Sequence, residues 1–520
     1  MLKRAWKKSF FLTYGDIRIA AMTYALLPMV LFLLLFLKWY FALIGLAAIG
    51  VSYYNILKYR KTNSLRPEAI ELRVSSMVGI FALMLLWCQL GGMNGYMFQT
   101  TDWGCRNAVF RDLITHRWPV VYDSSNSALV YYVGHWLPPA MVAKVFNKLF
   151  HSLELAWFVG RMALWVWTAL GLSLVALLLF VYMKAESTKK RVIAIVVLIF
   201  FSGLDIVGVL YYGKGEQLLA PDMLHLERWA KHGYQYSSIT TCLYWVFNQS
   251  VIPWMMTLCF LMDSDERNYV TYGAACLICG PLPLIGLAVL MVFRAVCRLI
   301  RCIREQRVKD WCKAIFSVGN LLVVILCVPM VAAYLLSNSA IAATGQSERV
   351  VEQVSFFSGG YWNRSLLAFY AVEVGVYLVL LWNAHKKEPL FYAVAVSLLC
   401  IPYFHIGTST DFCMRASLPG IFIILIYVAD DLAQYFSPPR QERKHLPVVQ
   451  RLCAMALVGA FLCGAITPGV EIYRGLYNVV SKGDFEQPYD PVGSFDNGEI
   501  NINFQTTNAD QRFFFKYLAR

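Results

Sequence analysis

Residues 154–183 read ELAWFVGRMALWVWTALGLSLVALLLFVYM and decide the fold class. From Met162 to Met183 the stretch contains no charged side chain, and it exceeds the roughly 18 apolar residues that a helix needs to cross a bilayer. Only a helix satisfies every backbone hydrogen-bonding group within such a run, because an open sheet edge would leave N–H and C=O groups unpaired in hydrocarbon. The stretch therefore predicts a transmembrane helix.

Comparable apolar runs recur along the whole chain. Hydrophobic residues make up 58% of the 520 and charged residues 15%, whereas a soluble domain averages about 25% charged residues. We predict an all-α polytopic integral membrane protein with about 12–13 transmembrane helices. The predicted spans are residues 19–37, 39–57, 74–91, 154–183, 191–211, 242–262, 270–292, 313–336, 364–383, 390–406, 416–431 and 450–469.

The placement of the basic residues predicts the orientation. The net charge is +14, and the basic residues cluster in short segments between apolar runs, which is the positive-inside pattern of cytoplasmic loops. Anionic membrane lipids, rather than nucleic acid, are the expected partners of this charge. We predict a multi-pass protein of the cell membrane with a cytoplasmic N-terminus and a C-terminus outside. The clusters are Lys3, Arg4, Lys7 and Lys8; Lys58, Arg60, Lys61, Arg66 and Arg73; Lys184, Lys189, Lys190 and Arg191; Arg294, Arg298, Arg301, Arg304 and Arg307; and Arg440, Arg443 and Lys444.

One predicted span needs a break to agree with this topology. If residues 270–292 crossed the membrane once, the arginine-rich segment after them would lie outside. The run contains Cys279-Gly280-Pro281-Leu282-Pro283, and proline with glycine breaks or kinks a helix. We therefore predict a broken pair that returns these arginines to the cytoplasmic side.

This topology divides the chain into three parts. Residues 1–73 form an N-terminal helical pair with a cytoplasmic loop, and residues 74–470 form the transmembrane core with a long outer loop at 92–153. Residues 471–520 are a tail outside the membrane, in which alternating apolar residues around 500–504 predict a short hairpin. Amphipathic spacing within the outer loop predicts helices that lie in the membrane interface.

The outer loop carries the first candidate site. Asp102 and Asp112 lie ten residues apart and are interleaved with Arg106 and Arg111. A carboxylate can take a proton from a hydroxyl, and nearby cations can stabilise a leaving phosphate. The alternative is structural: Asp102 caps the helix through 104–114, and Arg111 and Asp112 pair with neighbours.

Two further outside segments carry candidate ligand-binding residues. His225 and Glu227 lie among aromatic residues, an arrangement that suits sugar stacking as well as an ordinary interfacial belt. Asp411 and Arg415 are four residues apart and therefore neighbours on one helix face. Arg415 stands at the mouth of a span, where it can hold a phosphate bidentately, unless it and Asp411 form only a surface ion pair.

Taken together, the arrangement resembles the GT-C superfamily of membrane glycosyltransferases. The resemblance rests on many spans, a long first outer loop with an early acidic residue in Thr101-Asp102-Trp103, and the stretch Tyr131, Tyr132, Leu137, Pro138, Pro139. It implies transfer of a sugar from a polyprenyl-phosphate donor to a glycan or lipid acceptor outside. Asp102 would be the general base, with Asp112 as a second catalytic carboxylate. In this resemblance Arg415 would take the donor phosphate. Judged from their positions in the outside segments rather than from the resemblance, the other candidates for binding donor and acceptor are Arg106, Arg111, His225, Glu227 and Asp411. A divalent cation remains open as a cofactor.

Three other functions remain open from the sequence. A lipid-linked saccharide flippase or transporter would use polar residues deep in the spans, for which Asp205, Asn248, Gln249 and Glu373 are the candidates. A polysaccharide polymerase or ligase would use the outer-loop arginines. A non-catalytic assembly subunit would use none of these residues.

Overall fold

The computed structural model describes residues 9–58, 69–213, 225–230, 234–340, 364–404, 411–483 and 493–520. Helices dominate these residues. In chain order the α-helices are α1 (Tyr14–Phe36), α2 (Trp39–Lys58), α3 (Val74–Leu90), α4 (Trp103–Thr115), α5 (Leu137–Phe150), α6 (Leu153–Tyr182), α7 (Thr188–Phe200), α8 (Asp205–Tyr211), α9 (Ile239–Val246), α10 (Val251–Met262), α11 (Tyr269–Leu277), α12 (Pro281–Arg304), α13 (Val308–Ile315), α14 (Val318–Leu322), α15 (Val328–Leu335), α16 (Arg364–Tyr370), α17 (Val376–His385), α18 (Pro389–Cys400), α19 (Asp411–Ala416), α20 (Leu418–Phe436), α21 (Arg440–Arg443), α22 (Val448–Gly464) and α23 (Ile466–Lys482).

The membrane-protein class is confirmed. Within the described ranges nine helical stretches are long and apolar enough to cross a membrane, or ten if the bent pair α9–α10 counts as one span. Two shorter apolar helices, Val74–Leu90 and Pro389–Tyr403, lie at further predicted spans. Each of the twelve predicted runs thus overlaps an apolar helix. The number long enough by themselves is below the predicted 12–13, because these two helices have fewer than 18 residues and the predicted span 242–262 is the bent pair α9–α10.

The break predicted within residues 270–292 lies between α11 and α12. The two helices are separated by a turn at residues 278–280. Arg298, far along α12, donates a hydrogen bond of 2.9 Å to the carbonyl oxygen of Ser264, which precedes α11. Asp263, the residue before Ser264, forms an ion pair of 2.8 Å with Arg18 near the start of α1. The arginines of α12 therefore return to the end of the bundle where α1 begins, as the proline-glycine break predicts; which side of the membrane that end faces stays a prediction.

The core of the bundle lies around α6 and α20. Helix α6 packs against α3, α5 and α10, and α20 packs against α7 and α10. On the outer helices large apolar side chains such as Leu43, Val292 and Val379 are exposed. Apolar side chains exposed along long helices suit contact with lipid, and would be unusual in this number on a soluble protein.

Two small antiparallel sheets tie distant parts of the chain together. β1 (Ser9–Leu12) pairs with β2 (Ile70–Arg73) next to α3. β3 (Val121–Tyr122), β4 (Ser127–Leu129) and β5 (Gln505–Thr507) form a second sheet, in which the tail strand pairs with the outer loop. The described residues 493–507 do not form the predicted hairpin within the tail, because β5 pairs with β4 of the outer loop instead.

The tail docks at the end of the bundle opposite Arg18. Phe514 is buried with its ring 6.1 Å from that of Phe32, which lies near the end of α1. The backbone N–H of Lys38 donates a hydrogen bond of 2.9 Å to the carbonyl oxygen of Leu518. The outer loop and the tail therefore form one layer across this end, which we call the tail end of the bundle.

The boundary predicted at residue 470 falls inside a helix. The 34-residue stretch Val448–Ser481 consists of α22 and α23. Pro468 does not end it, because this residue is the third of α23 and N–H groups in a first turn have no intrahelical acceptor. The helix runs on to Lys482, twelve residues beyond the predicted boundary.

Candidate functional site

The first turn of α4 positions Asp102. Trp103 is buried; its indole Nε1 donates a hydrogen bond of 3.2 Å to the carbonyl oxygen of Tyr244, and its ring stacks on Phe247 with centroids 5.1 Å apart. Arg106, one turn along the helix, is buried as well. These contacts hold the start of α4 against the transmembrane helices. The backbone of Asp102 is therefore fixed by buried neighbours although its own side chain is exposed.

Asp102 pairs with Arg106 instead of capping its helix. Its Oδ2 accepts a hydrogen bond of 2.9 Å from Nη2 of Arg106. The side chain of Asp102 is 52% exposed and that of Arg106 4%. Asp102 occupies the N-cap position of α4, but its side chain makes no capping hydrogen bond. The carboxylate is thus held by a buried cation on one side and open to solvent on the other.

The guanidinium of Arg106 has two further donor nitrogens. Its Nε and Nη1 are buried and make no hydrogen bond within the part of the chain that the structure describes. Burial lowers the pKa of this guanidinium, and the carboxylate of Asp102 opposes that shift. Buried donors without an acceptor are costly, by about 1–3 kcal/mol each, so a ligand that accepts from them would gain that free energy.

A second pair of the same kind comes from α19. Nη1 of Arg415 lies 2.9 Å from Oδ2 of Asp411, and the Arg415 side chain is 11% exposed, so this is a largely buried pair rather than a surface one. The Nε of Arg415 is buried without a hydrogen-bond partner among the described residues. Burial acts to lower the pKa of Arg415, but the carboxylate of Asp411 and the nearby tyrosine hydroxyls outweigh it and raise the pKa.

The two pairs converge on Tyr131. Burial raises the pKa of the Tyr131 hydroxyl, and the positive charges of Arg415 and Arg106 oppose that shift, so both charges act on this one hydroxyl. The charge of Arg415 in turn contributes to lowering the pKa of Arg106. We call Asp102, Arg106, Tyr131, Asp411 and Arg415 the arginine site. It contains four of the eight residues predicted as site residues, brought together from two segments about 300 residues apart.

Tyr132 and Phe504 support Tyr131. The rings of Tyr131 and Tyr132 stack with centroids 4.8 Å apart, and the ring centroid of Phe504 in the tail lies 4.5 Å from that of Tyr131. Burial raises the pKa of Tyr132 to about 12. Both tyrosines therefore keep their protons at neutral pH, so that each hydroxyl can donate a hydrogen bond.

Asp112 is not part of the arginine site. It is fully buried, with Oδ2 accepting from the Tyr122 hydroxyl at 2.6 Å and from the backbone N–H of Phe495 at 3.0 Å. Its Oδ1 accepts from the Ser494 hydroxyl at 2.6 Å. Three hydrogen bonds in a buried setting are those of a structural carboxylate, so Asp112 joins the tail to α4 rather than facing a substrate.

Arg111 also faces away from Asp102. It follows Arg106 by five residues, which is about 140° further round a helix of 3.6 residues per turn. It is half-buried, whereas Arg106 is buried. The predicted role in substrate binding therefore has no support from its place on α4.

Glu227 belongs to a neighbouring buried cluster, and His225 is half-buried with its ring 4.2 Å from that of Trp245. Oε1 of Glu227 accepts a hydrogen bond of 2.8 Å from the backbone N–H of Ser238, and Oε2 accepts one of 3.1 Å from Nε2 of Gln235. Burial raises the pKa of Glu227 to about 8, with the carboxylate of Asp205 adding to the shift. Burial likewise lowers the pKa of His225 to about 3, so this ring is neutral at ordinary pH.

This cluster touches α19 through one side chain. Nε2 of Gln235 lies 3.8 Å from Sδ of Met414, the residue before Arg415. Glu227 therefore supports the segment that carries Arg415 without being part of the arginine site. Sequence reasoning missed Gln235, and an amide that lies among tyrosines in an outer segment offers no periodic pattern by which to find it.

The donor set does not fit a divalent cation. Asp102 and Asp411, the carboxylates of the arginine site, each pair with an arginine. Over the described ranges no three His, Cys, Asp or Glu residues converge in a way that could hold a metal ion. The Asp-x-Asp sequence at Asp263 and Asp265 lies at the opposite end of the bundle, beside Arg18.

The tail end therefore combines a half-exposed carboxylate, two largely buried guanidinium groups with buried donors that make no hydrogen bond among the described residues, and a tyrosine on which both positive charges act. Comparison with known proteins found no family model that matches the chain, no similar curated protein and no similar solved structure.

Proposed function

We propose that the chain is a membrane glycosyltransferase of the GT-C type, which transfers a sugar from a polyprenyl-phosphate donor to an acceptor hydroxyl on a glycan or lipid. The observation that carries the proposal is the pair of guanidinium groups of Arg106 and Arg415 next to the exposed carboxylate of Asp102. Their charges act on each other, and each keeps at least one buried donor that makes no hydrogen bond among the described residues. Guanidinium groups suit phosphate because their planar N–H fork matches its oxygens.

In the proposed reaction each of these side chains has one role. The acceptor hydroxyl oxygen bonds to the anomeric carbon while the bond from that carbon to the phosphate oxygen breaks. Asp102 takes the hydroxyl proton, and the lipid phosphate leaves with the bonding electrons. Arg106 and Arg415 hold the charge that develops on the phosphate, and Tyr131 donates a hydrogen bond to it.

The membrane setting supports a lipid-linked donor. The arginine site lies just before α20, a helix long and apolar enough to span a membrane. A polyprenyl tail can therefore remain among the helices while its phosphate reaches the guanidinium groups. This places the transfer at the tail end, which the proposed topology assigns to the outside.

The test compares the wild type with Asp102→Asn in lipid nanodiscs. Sugar release is measured from a panel of polyprenyl-phosphate sugars, and the panel includes polyprenyl-diphosphate oligosaccharides because a polymerase or ligase would use those. We expect Asp102→Asn to reduce turnover by about 100-fold or more, since it removes a general base. Asp123→Asn, an exposed carboxylate of the same loop, is the matched control and should turn over as the wild type does. Equal turnover by Asp102→Asn and the wild type would contradict the proposal.

A second candidate, transport of a lipid-linked saccharide, is favoured by a feature deeper in the bundle. The bent pair α9–α10 turns by 102°. All polar side-chain atoms of Asn248 and Gln249 at this bend are buried and make no hydrogen bond within the described ranges. A Cβ added to Gly280, in the break between α11 and α12, would lie 3.1 Å from the carbonyl oxygen of Gln249. Broken helices that meet at bilayer depth are typical of transporters.

Gln249→Leu separates the two candidates. Flipping of a fluorescent lipid-linked sugar is measured in proteoliposomes alongside sugar release. A transporter should lose flipping with Gln249→Leu and show no sugar release in any variant. A glycosyltransferase should release sugar and show no flipping above protein-free liposomes.

A further inference from the structure

A cavity of about 400 Å³ lies between α4 and the tail. Gly104, Cys105 and Ala108 of α4 form one wall, and tail residues from 493 to 502 form the other. Volumes of about 300–1,000 Å³ are usual for sites of small molecules. The cavity is thus large enough for one or two sugar rings, and none of the predicted site residues lines it.

The tail wall is fixed by hydrogen bonds. The backbone N–H of Phe495 and the hydroxyl of Ser494 both donate to Asp112 of α4. Gln505 closes the segment: its Nε2 donates to the carbonyl oxygen of Phe495 at 3.2 Å, and its Oε1 accepts from the backbone N–H of Asn501 at 2.7 Å. A cavity between two walls that are tied together in this way is preformed, which reduces the entropy that binding costs.

The lining suits a saccharide. Asn497 and Asn501 use their Oδ1 atoms to accept backbone N–H groups of the tail, so their Nδ2 groups remain to donate to a ligand. Glu499 adds an exposed acceptor. Ile500 and Ile502 are exposed apolar side chains that also line the cavity. Amide and carboxylate groups beside apolar surface match the polar edge and the apolar face of a sugar ring.

The cavity opens next to the carboxylate of the arginine site. Cys105 lines it, and after burial the negative charge of Asp102 is the second influence that raises the pKa of this thiol. Gly104, two residues after Asp102, is exposed to the cavity, and a Cβ added there would meet nothing within 4 Å. Cys105 follows Asp102 by three residues and therefore lies on the same face of α4, so this wall of the cavity is within the influence of the Asp102 charge.

We propose that this cavity is the acceptor site, that it binds a saccharide, and that the C-terminal tail selects the acceptor. The inference rests on the proposed function, because it takes Asp102 as the base that receives the acceptor proton. It goes further in naming a hydroxyl-bearing sugar ring as the acceptor and in assigning its recognition to residues 493–502.

Gly104→Trp tests the proposal by filling the cavity. The indole would occupy the space of a sugar ring without displacing a neighbour of the backbone at Gly104. Sugar transfer to a panel of mono- and disaccharides is measured together with hydrolysis of the donor by water. We expect the ratio of transfer to hydrolysis to fall by about 100-fold, because misplacing a reacting group, here the acceptor hydroxyl, can cost a factor of that size. Gly50→Trp, another exposed helical glycine with nothing within 4 Å of an added Cβ, controls for the bulky substitution.

A second measurement does not depend on turnover. Cys105 is a free, half-buried thiol in the cavity wall, so its modification by N-ethylmaleimide is followed by mass spectrometry with and without the same saccharides, and Cys105→Ser is the blank. We expect an accepted saccharide to slow modification in the wild type and equally in Asp102→Asn. The acceptor site is elsewhere if saccharides slow the modification of neither the wild type nor Asp102→Asn, or if Gly104→Trp transfers sugar as the wild type does. In either case, loss of sugar release in Asp102→Asn would still support the proposed function.

Discussion

The carboxylate of Asp112 and the hydroxyl of Ser494, 382 residues apart in the sequence, are joined by a hydrogen bond of 2.6 Å. Asp112 lies on α4, the helix that begins next to Asp102, and Ser494 lies in the tail. The contact therefore fixes the far wall of the proposed acceptor cavity relative to the proposed base. Asp112, which was expected to be catalytic, thus holds together α4 and the tail, the two walls of the proposed acceptor cavity.

The first prediction follows from this contact. Asp112→Asn should lower the free energy of unfolding by about 1–3 kcal/mol, because an amide N–H₂ would face donors such as the backbone N–H of Phe495. Hydrogen exchange in residues 493–507 should become faster, while α1 keeps its protection. Thermal unfolding and hydrogen exchange in nanodiscs measure both, with Asp123→Asn as the control. Unchanged exchange in the tail would show that Asp112 does not hold it.

The second prediction concerns Arg106 and Arg415. If both hold one phosphate, Arg415→Gln and Arg106→Gln should each weaken donor binding by about 10- to 100-fold, and the double variant should lose less than the sum of the two free energies. Arg415→Lys should not restore binding, because an ammonium lacks the planar fork. The dissociation constant of a polyprenyl-phosphate sugar measures the effect. Arg117→Gln, an exposed arginine of the same loop, is the control, and strictly additive losses would mean that the two arginines act at separate sites.

Much of the fold could be predicted because hydropathy is a local property. Each predicted span overlaps an apolar helix, and Pro281 with Gly280 correctly predicts the break that returns Arg298 to the start of the bundle. The predicted boundary at 470 falls inside α23, a helix that tolerates Pro468 in its first turn. Local patterns locate a run of residues well but fix its end poorly.

The site was predictable in its parts rather than as a whole. Asp411 and Arg415 were identified by their spacing on one helix face, and Asp102 by its place in the outer loop. No periodic pattern, however, shows that the two segments meet at Tyr131, or that β5 of the tail pairs with β4. The capping role of Asp102 was a sound local expectation that failed because Arg106, one turn away, offers a buried cation instead.

The third prediction is a dependence of stability on pH. Burial raises the pKa of Glu227 from 4.5 to about 8, so the folded state binds a proton that the unfolded chain releases at lower pH. The stability from this proton is complete below about pH 4.5 and is lost as the pH rises through about 8. Glu227→Gln should remove this part of the decline, so that its Tm exceeds that of the wild type most clearly above pH 8. Parallel Tm profiles of the two proteins from pH 5 to 9 would refute the prediction.

The last prediction concerns the buried ion pair at the other end of the bundle. Arg18 and Asp263 are 1% and 0% exposed, and Oδ2 of Asp263 also accepts from Asn268 and Tyr272, each at 2.6 Å. Removing one partner leaves a buried charge without compensation, so Arg18→Met should destabilise the protein by about 3–5 kcal/mol. Asp310→Asn, in an exposed pair with Arg307, should change stability by no more than about 1 kcal/mol. The Arg18–Asp263 pair lies far from Asp102. The fraction of Arg18→Met protein that remains folded in nanodiscs should therefore release sugar at the wild-type rate. A loss of turnover without a loss of Tm would instead mean that this end of the bundle takes part in the reaction.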